Sequence, residues 1–140
     1  MMKMIFPASI DHLHDMLHFI REKVQAAGFT GLLETQIELA LEEALVNIIK
    51  HGYKTHSGEI QIQCTFLPQQ GIRVTLIDQG TRFNPCLAHQ KGKEEANDLH
   101  TLGGYGVYLI LTIIDQVDYK FENGSNILHL TKFLPTKDHS

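Results

Sequence analysis

A chain of 140 residues, 43% apolar and 20% charged, has the size and balance of one globular domain around a single core. Its formal net charge of −4 argues against direct nucleic-acid binding, which calls for a basic surface. Two cysteines without a CxxC spacing argue against a disulfide framework and a zinc site, and the lack of any long apolar run argues against a signal peptide or membrane span, so a reducing cytoplasm is the expected setting.

Met2 to Ser9 reads as a short strand with Met4 and Phe6 on one face. Ser9 or Asp11 is placed to cap a helix that runs to about Ala27, with an apolar stripe of Leu13, Met16, Leu17, Ile20 and Val24. Gly28 ends it. A second helix is predicted from near Gly31 to Lys50 or His51, with Gly52 as its stop. The period then changes from helical to alternating: Glu59 to Phe66 and Ile72 to Ile77 read as a hairpin turned at Pro68 to Gly71 and closed by Asp78-Gln79-Gly80. Cys86 to Leu102 is polar and long enough to suggest a lid. Helix resumes after Gly106. Strands at Val117 to Glu122 and Ile127 to Phe133 follow, joined at Asn123-Gly124. Strands that cluster in hairpins predict a two-layer α/β sandwich, with a mixed, mostly antiparallel sheet and helices on one face.

Three motifs carry chemistry. Glu43, Asn47 and His51 recur every four residues on a helix that is otherwise apolar, which lines them along one face. Asn47 offers an oxygen suited to a hard cation such as Mg²⁺, and Glu43 one turn earlier can serve as a base. Asp78, followed by Gly80, points a carboxylate beyond a strand end, where it can accept a hydrogen bond from an exocyclic amine such as that of adenine. Gly103-Gly104-Tyr105-Gly106 opens an apolar helix, so glycine backbone and a helix N-terminus can cradle phosphate. Each motif alone has a plainer explanation: a solvated helix face, a turn-initiating Asp, a flexible hinge.

Together and in this order, the three motifs resemble the GHKL ATPase superfamily and its Bergerat sandwich. Within it, EEALVNIIKHGY (42–53), GGYGVYLI (103–110), Ile114-Asp115-Gln116-Val117 and the closing LTKFL resemble the anti-sigma factor serine/threonine kinases of the RsbW type, from about Met4 to Leu134. The resemblance implies one ATPase domain over 1–140 with an ATP lid at about 86–103. It implies Asn47 as the Mg²⁺ ligand and Glu43 as the catalytic base toward a substrate hydroxyl. Nucleotide contacts would come from Asn47, His51, Asp78, Gly80, Phe83, Gly103, Gly104, Tyr105, Gly106 and Val107, with Pro85 helping to close the purine pocket and His51 and Tyr53 supporting the site. It further implies ATP and Mg²⁺ as cofactors, a STAS-domain anti-anti-sigma factor and an RNA polymerase sigma factor as partners, and a homodimer. A nucleotide-dependent binding module with little kinase activity is the alternative.

The sequence departs from the family pattern in two places. Thr101 and Leu102 stand where relatives often carry a basic residue. Gly124-Ser125-Asn126 replaces a Gly-Thr pair before the last strand, leaving Ser125 as the candidate for the threonine's contact with the adenine network. Elsewhere, His14 and His18 read as surface histidines, Cys64 as a buried small hydrophobe, Lys91 to Glu95 as a solvated loop, and Tyr105 and Tyr108 as helix packing rather than a partner surface.

Overall fold

A computed structural model describes residues 1–53, 57–83 and 104–135. The expected lid and Pro85, Cys86, Lys91 to Glu95, Thr101, Leu102 and Gly103 lie outside these residues. The elements are β1 (Met2–Pro7), a 3₁₀ turn (Ile10–His12), α1 (Leu13–Ala26), α2 (Gly31–Asn47), a π-type turn (Ile48–Gly52), β2 (Glu59–Leu67), β3 (Gly71–Asp78), α3 (Gly104–Ile113), β4 (Gln116–Glu122) and β5 (Ser125–Phe133).

The five strands form one sheet in the order β1-β2-β3-β5-β4. All four pairings are antiparallel, so among the described residues the sheet has no parallel pair. Period-2 patterning explains which face is covered. Ile60, Ile62 and Cys64 of β2, Ile72, Val74 and Leu76 of β3, and Leu128 and Leu130 of β5 all point inward and are buried. Met16, Ile20 and Val24 of α1 and Ile37, Ala40, Leu41, Ala44 and Leu45 of α2 meet them, and Ile110 of α3 completes the cluster. The opposite sheet face carries Gln61, Gln63, Arg73, Thr75 and His129. There Thr75 Oγ1 lies 2.8 Å from His129 Nδ1.

The turn between β4 and β5 has φ of 52° at Asn123 and 78° at Gly124, the two positive values that an Asn-Gly hairpin turn requires. Tyr108 departs from its expected packing role. It is 58% exposed on the outer side of α3, while Val107 and Ile110 turn inward. No helix among the described residues is long and apolar enough to cross a membrane.

Candidate functional site

The site forms where α2 ends, β3 ends and α3 begins. α2 keeps α geometry through Asn47 and then widens into the π-type turn. Such turns insert an extra residue into a helix and recur at functional sites. The four-residue stacking rule therefore holds for Glu43 and Asn47 and stops there. The His51 ring instead packs on Phe83, with centroids 5.4 Å apart and planes at 22°.

The widened turn delivers Gly52 to the end of β3. Its carbonyl accepts the Thr81 N–H at 2.7 Å. A Cβ on Gly80 would strike the Gly52 carbonyl and Cα, so this crossing of two main chains needs glycine at Gly80. Tyr53 secures the same corner, donating to the Glu59 carbonyl and accepting from the Gln79 N–H.

Asp78 is buried, with 4% of its surface exposed. Its Oδ1 accepts the Gly80 N–H and the Asn126 amide, both at 2.9 Å. Burial pushes the carboxyl above its ordinary value, and those two donors pull the other way. Its Oδ2 takes no hydrogen bond among the described residues. A narrow cavity beside Asp78 is lined by Ala44, Ile48, Phe83, Tyr119, Asn126 and Leu128. Its walls are mostly apolar with a few convergent polar groups, and its free volume of about 10 Å³ holds about one water as it stands. A larger cleft of about 380 Å³, lined by Ile5, Tyr53, Gln61, Ile77, Asp78 and Gln79, reaches Asp78 from the other side. Neither Glu43 nor Asn47 lines it.

Asn47 is 4% exposed, and its Nδ2 has no hydrogen-bond partner among the described residues. An unmatched buried amide costs about 1–3 kcal/mol, so its persistence asks for a use. Rotating the carboxamide by a half-turn places Oδ1 at the same point, as nitrogen and oxygen are interchangeable in shape. The residue therefore fits an oxygen ligand for a hard cation. Glu43, one turn earlier, reaches the first turn of α3. A Cβ placed on Gly106 would sit 2.5 Å from Glu43 Oε2. Gly104, Tyr105 and Val107 share that turn, and the Val107 side chain is fully buried, leaving only its backbone to meet a ligand.

The structure thus gathers Glu43, Asn47, His51, Asp78, Gly80, Phe83 and Gly106 at one end of the sandwich. It also reveals two residues that the sequence reading passed over. Asn126, not Ser125, reaches Asp78, because the register sets Asn126 directly opposite it. Tyr119 donates its hydroxyl to Asn126 Oδ1. The signal was present in the alternation of β5, where Asn126 is in phase with the inward Leu128 and Leu130.

A helix-covered antiparallel sheet, a carboxylate buried at a strand end, and an Asn one turn after a Glu on the covering helix define a sandwich of the GHKL ATPase type. The chain belongs to the histidine kinase-like ATPase domain family, whose model matches residues 6–132. It is 28% identical over 116 residues to the serine-protein kinase RsbW of Listeria monocytogenes serotype 4a (strain HCC23), spanning 79% of this chain and 73% of that protein. It is 30% identical over 104 residues to the enzyme of the same name from Bacillus licheniformis, spanning 70% and 63%. The match to RsbW of Staphylococcus aureus (strain JH9) is 28% over 138 residues and spans 94% of this chain and 86% of the relative.

Proposed function

We propose that this protein is an ATP-dependent protein serine/threonine kinase that also acts as an anti-sigma factor. It phosphorylates a STAS-domain anti-anti-sigma partner and thereby controls release of a sigma factor. The observation that carries the reading is Asn47: a buried amide, unpartnered among the described residues, one helical turn from Glu43, whose carboxylate lies against the opening turn of α3. A binding module that only sequesters a partner has no need of a carboxylate held at that point.

In this reading Asp78 Oδ2 accepts the exocyclic amino group of adenine. Phe83, stacked on His51, covers the base, and Gly80 lets the chain pass beneath it. The first turn of α3, from Gly104 to Val107 with Gly103 before it, offers backbone N–H groups and a positive dipole end to the phosphates. Asn47 would hold Mg²⁺, which would neutralise phosphate charge. Glu43 accepts the proton of the attacking serine or threonine hydroxyl, so the alkoxide attacks the γ-phosphorus as the bond to the β-phosphate oxygen breaks. The protein contributes position and charge rather than a covalent intermediate. It works in the cytoplasm as a homodimer. A phosphate added to the partner would weaken their contact through repulsion and desolvation.

The test is phosphotransfer from γ-labelled Mg-ATP to the STAS-domain proteins of the same genome, with Glu43→Ala alongside. We expect label on one partner, lost in the variant, with nucleotide binding retained. Binding of ATP without transfer to any of them would overturn the kinase reading and leave a nucleotide-dependent binding module.

A further inference from the structure

We propose that Asn126 is the positioning residue that makes the purine pocket select for an exocyclic amino group. The inference rests on the nucleotide-site reading above. The carboxamide is 4% exposed and every part of it is engaged. Nδ2 donates to Asp78 Oδ1 at 2.9 Å, to the Thr81 carbonyl at 3.1 Å and to the Gly80 carbonyl at 3.3 Å. Oδ1 accepts the Phe83 N–H at 3.1 Å and the Tyr119 hydroxyl.

This pattern fixes the amide's sense. A flipped carboxamide would set its oxygen against a carboxylate and two carbonyls, and its NH₂ against the Phe83 N–H. Because Nδ2 and the Gly80 N–H both bind Oδ1, the Asp78 carboxylate is held in one rotation. Oδ2 is left as the oxygen with no hydrogen bond among the described residues, a pure acceptor when the group is ionised. A pure acceptor rewards an amino group and penalises a bare C–H or a carbonyl at the same place. The same amide also straps residues 80–83 to β5 and so holds Phe83 over the pocket. Asn126 lines the cavity, but with every polar atom of its amide engaged it offers the base no hydrogen bond in this account. It acts by denying Asp78 the freedom to turn its second oxygen elsewhere.

The experiment is calorimetric titration of wild type and Asn126→Ala with two ligands: a non-hydrolysable ATP analogue, and the triphosphate of unsubstituted purine riboside, which lacks only the amino group. Wild type is expected to favour the amino-bearing ligand by about 10- to 100-fold, the range for a buried polar site missing its partner group. In Asn126→Ala that ratio should collapse to about threefold, because ATP-analogue affinity falls while the unsubstituted purine loses little. Should the alanine variant fail to fold, Tyr119→Phe carries the same comparison. It frees one side of the amide and should shrink the ratio by about two- to fivefold. Equal loss for both ligands, with the ratio kept, would show Asn126 to be scaffold only and overturn the proposal. Wild type that binds both equally would also overturn it, while leaving the site a nucleotide site. Wild type that binds neither would remove the nucleotide reading itself and this inference with it.

Discussion

Gly106→Ala tests the contact between α2 and α3 on which the placement of Glu43 depends. An ideal Cβ at this position would lie 2.5 Å from Glu43 Oε2, 3.3 Å from its Cδ and 3.4 Å from its Cβ. Only the oxygen is far inside contact distance, so the carboxylate must retreat by about 1 Å while the helices stay in place. A displacement of about 1 Å at a reacting group is worth roughly 100-fold in rate. Against this, alanine in a helix gains about 1 kcal/mol over glycine. The two effects separate in a cycle of four proteins: wild type, Gly106→Ala, Glu43→Ala and the double variant. With Glu43 present, the crowding offsets the propensity gain and the melting temperature should hardly rise. With Glu43 removed, the methyl has room and the full gain of about 1 kcal/mol should appear, some 3–5 °C for a domain of this size. Thermal melts read the cycle without reference to activity, and single-turnover transfer then reads the expected 100-fold loss in Gly106→Ala. Equal melting shifts in both backgrounds would refute the contact.

Asp78→Asn keeps the Oδ1 acceptor for Gly80 and Asn126 but turns Oδ2 into a donor. ATP affinity should fall by about 10- to 100-fold, the worth of a charge-assisted hydrogen bond. Burial raises the carboxyl above its ordinary 3.8, so its favourable contribution is full below that value and is lost as pH rises through the folded one. At pH 7 the unliganded variant should therefore melt at or above wild type, an advantage that vanishes in acid; a lower melting point at pH 7 would contradict this. His129 is held below its ordinary 6.5 by burial, then by Arg73 and Lys120, with Asp118 opposing. Its contribution is full above 6.5 and lost as pH falls through the folded value, so melts from pH 8 down to pH 5 should decline, and His129→Gln should flatten part of that decline. Cys64 is fully buried, and burial pushes its thiol up to about 12. In a Cys86→Ser background a disulfide reagent should leave it unmodified until denaturant is added.

Local pattern carried most of the fold. Alternation in Glu59 to Phe66 and Ile72 to Ile77, helical spacing in Met16, Ile20 and Val24, and the Asn123-Gly124 turn each describe a few adjacent residues, and each element formed where its pattern lies. The reading failed where the cause is distant. Asp78 and Asn126 are 48 positions apart, and only the pairing of β3 with β5 brings them together. The alternation of β5 sets Asn126, not Ser125, in phase with the inward Leu128 and Leu130, but only the register shows that it meets Asp78. The widened turn after Asn47 was equally hidden, since apolar Ile48 and Ile49 continue the helical pattern. It ends at Gly52, whose partner Thr81 belongs to another segment. Tyr108 faces outward, the side opposite to packing, and a tyrosine in an apolar helix gives no sign of which way it faces.

The crossing of Gly52 and Gly80 has a consequence for how such a pocket can change over time. Asn47 and Asp78 sit on separate segments, yet the spacing between those segments is gauged by backbone against backbone. Side chains around the cavity can then be exchanged one at a time without resetting the distance between its two ends. The fixed gauge at the glycine crossing turns the rest of the pocket into interchangeable lining.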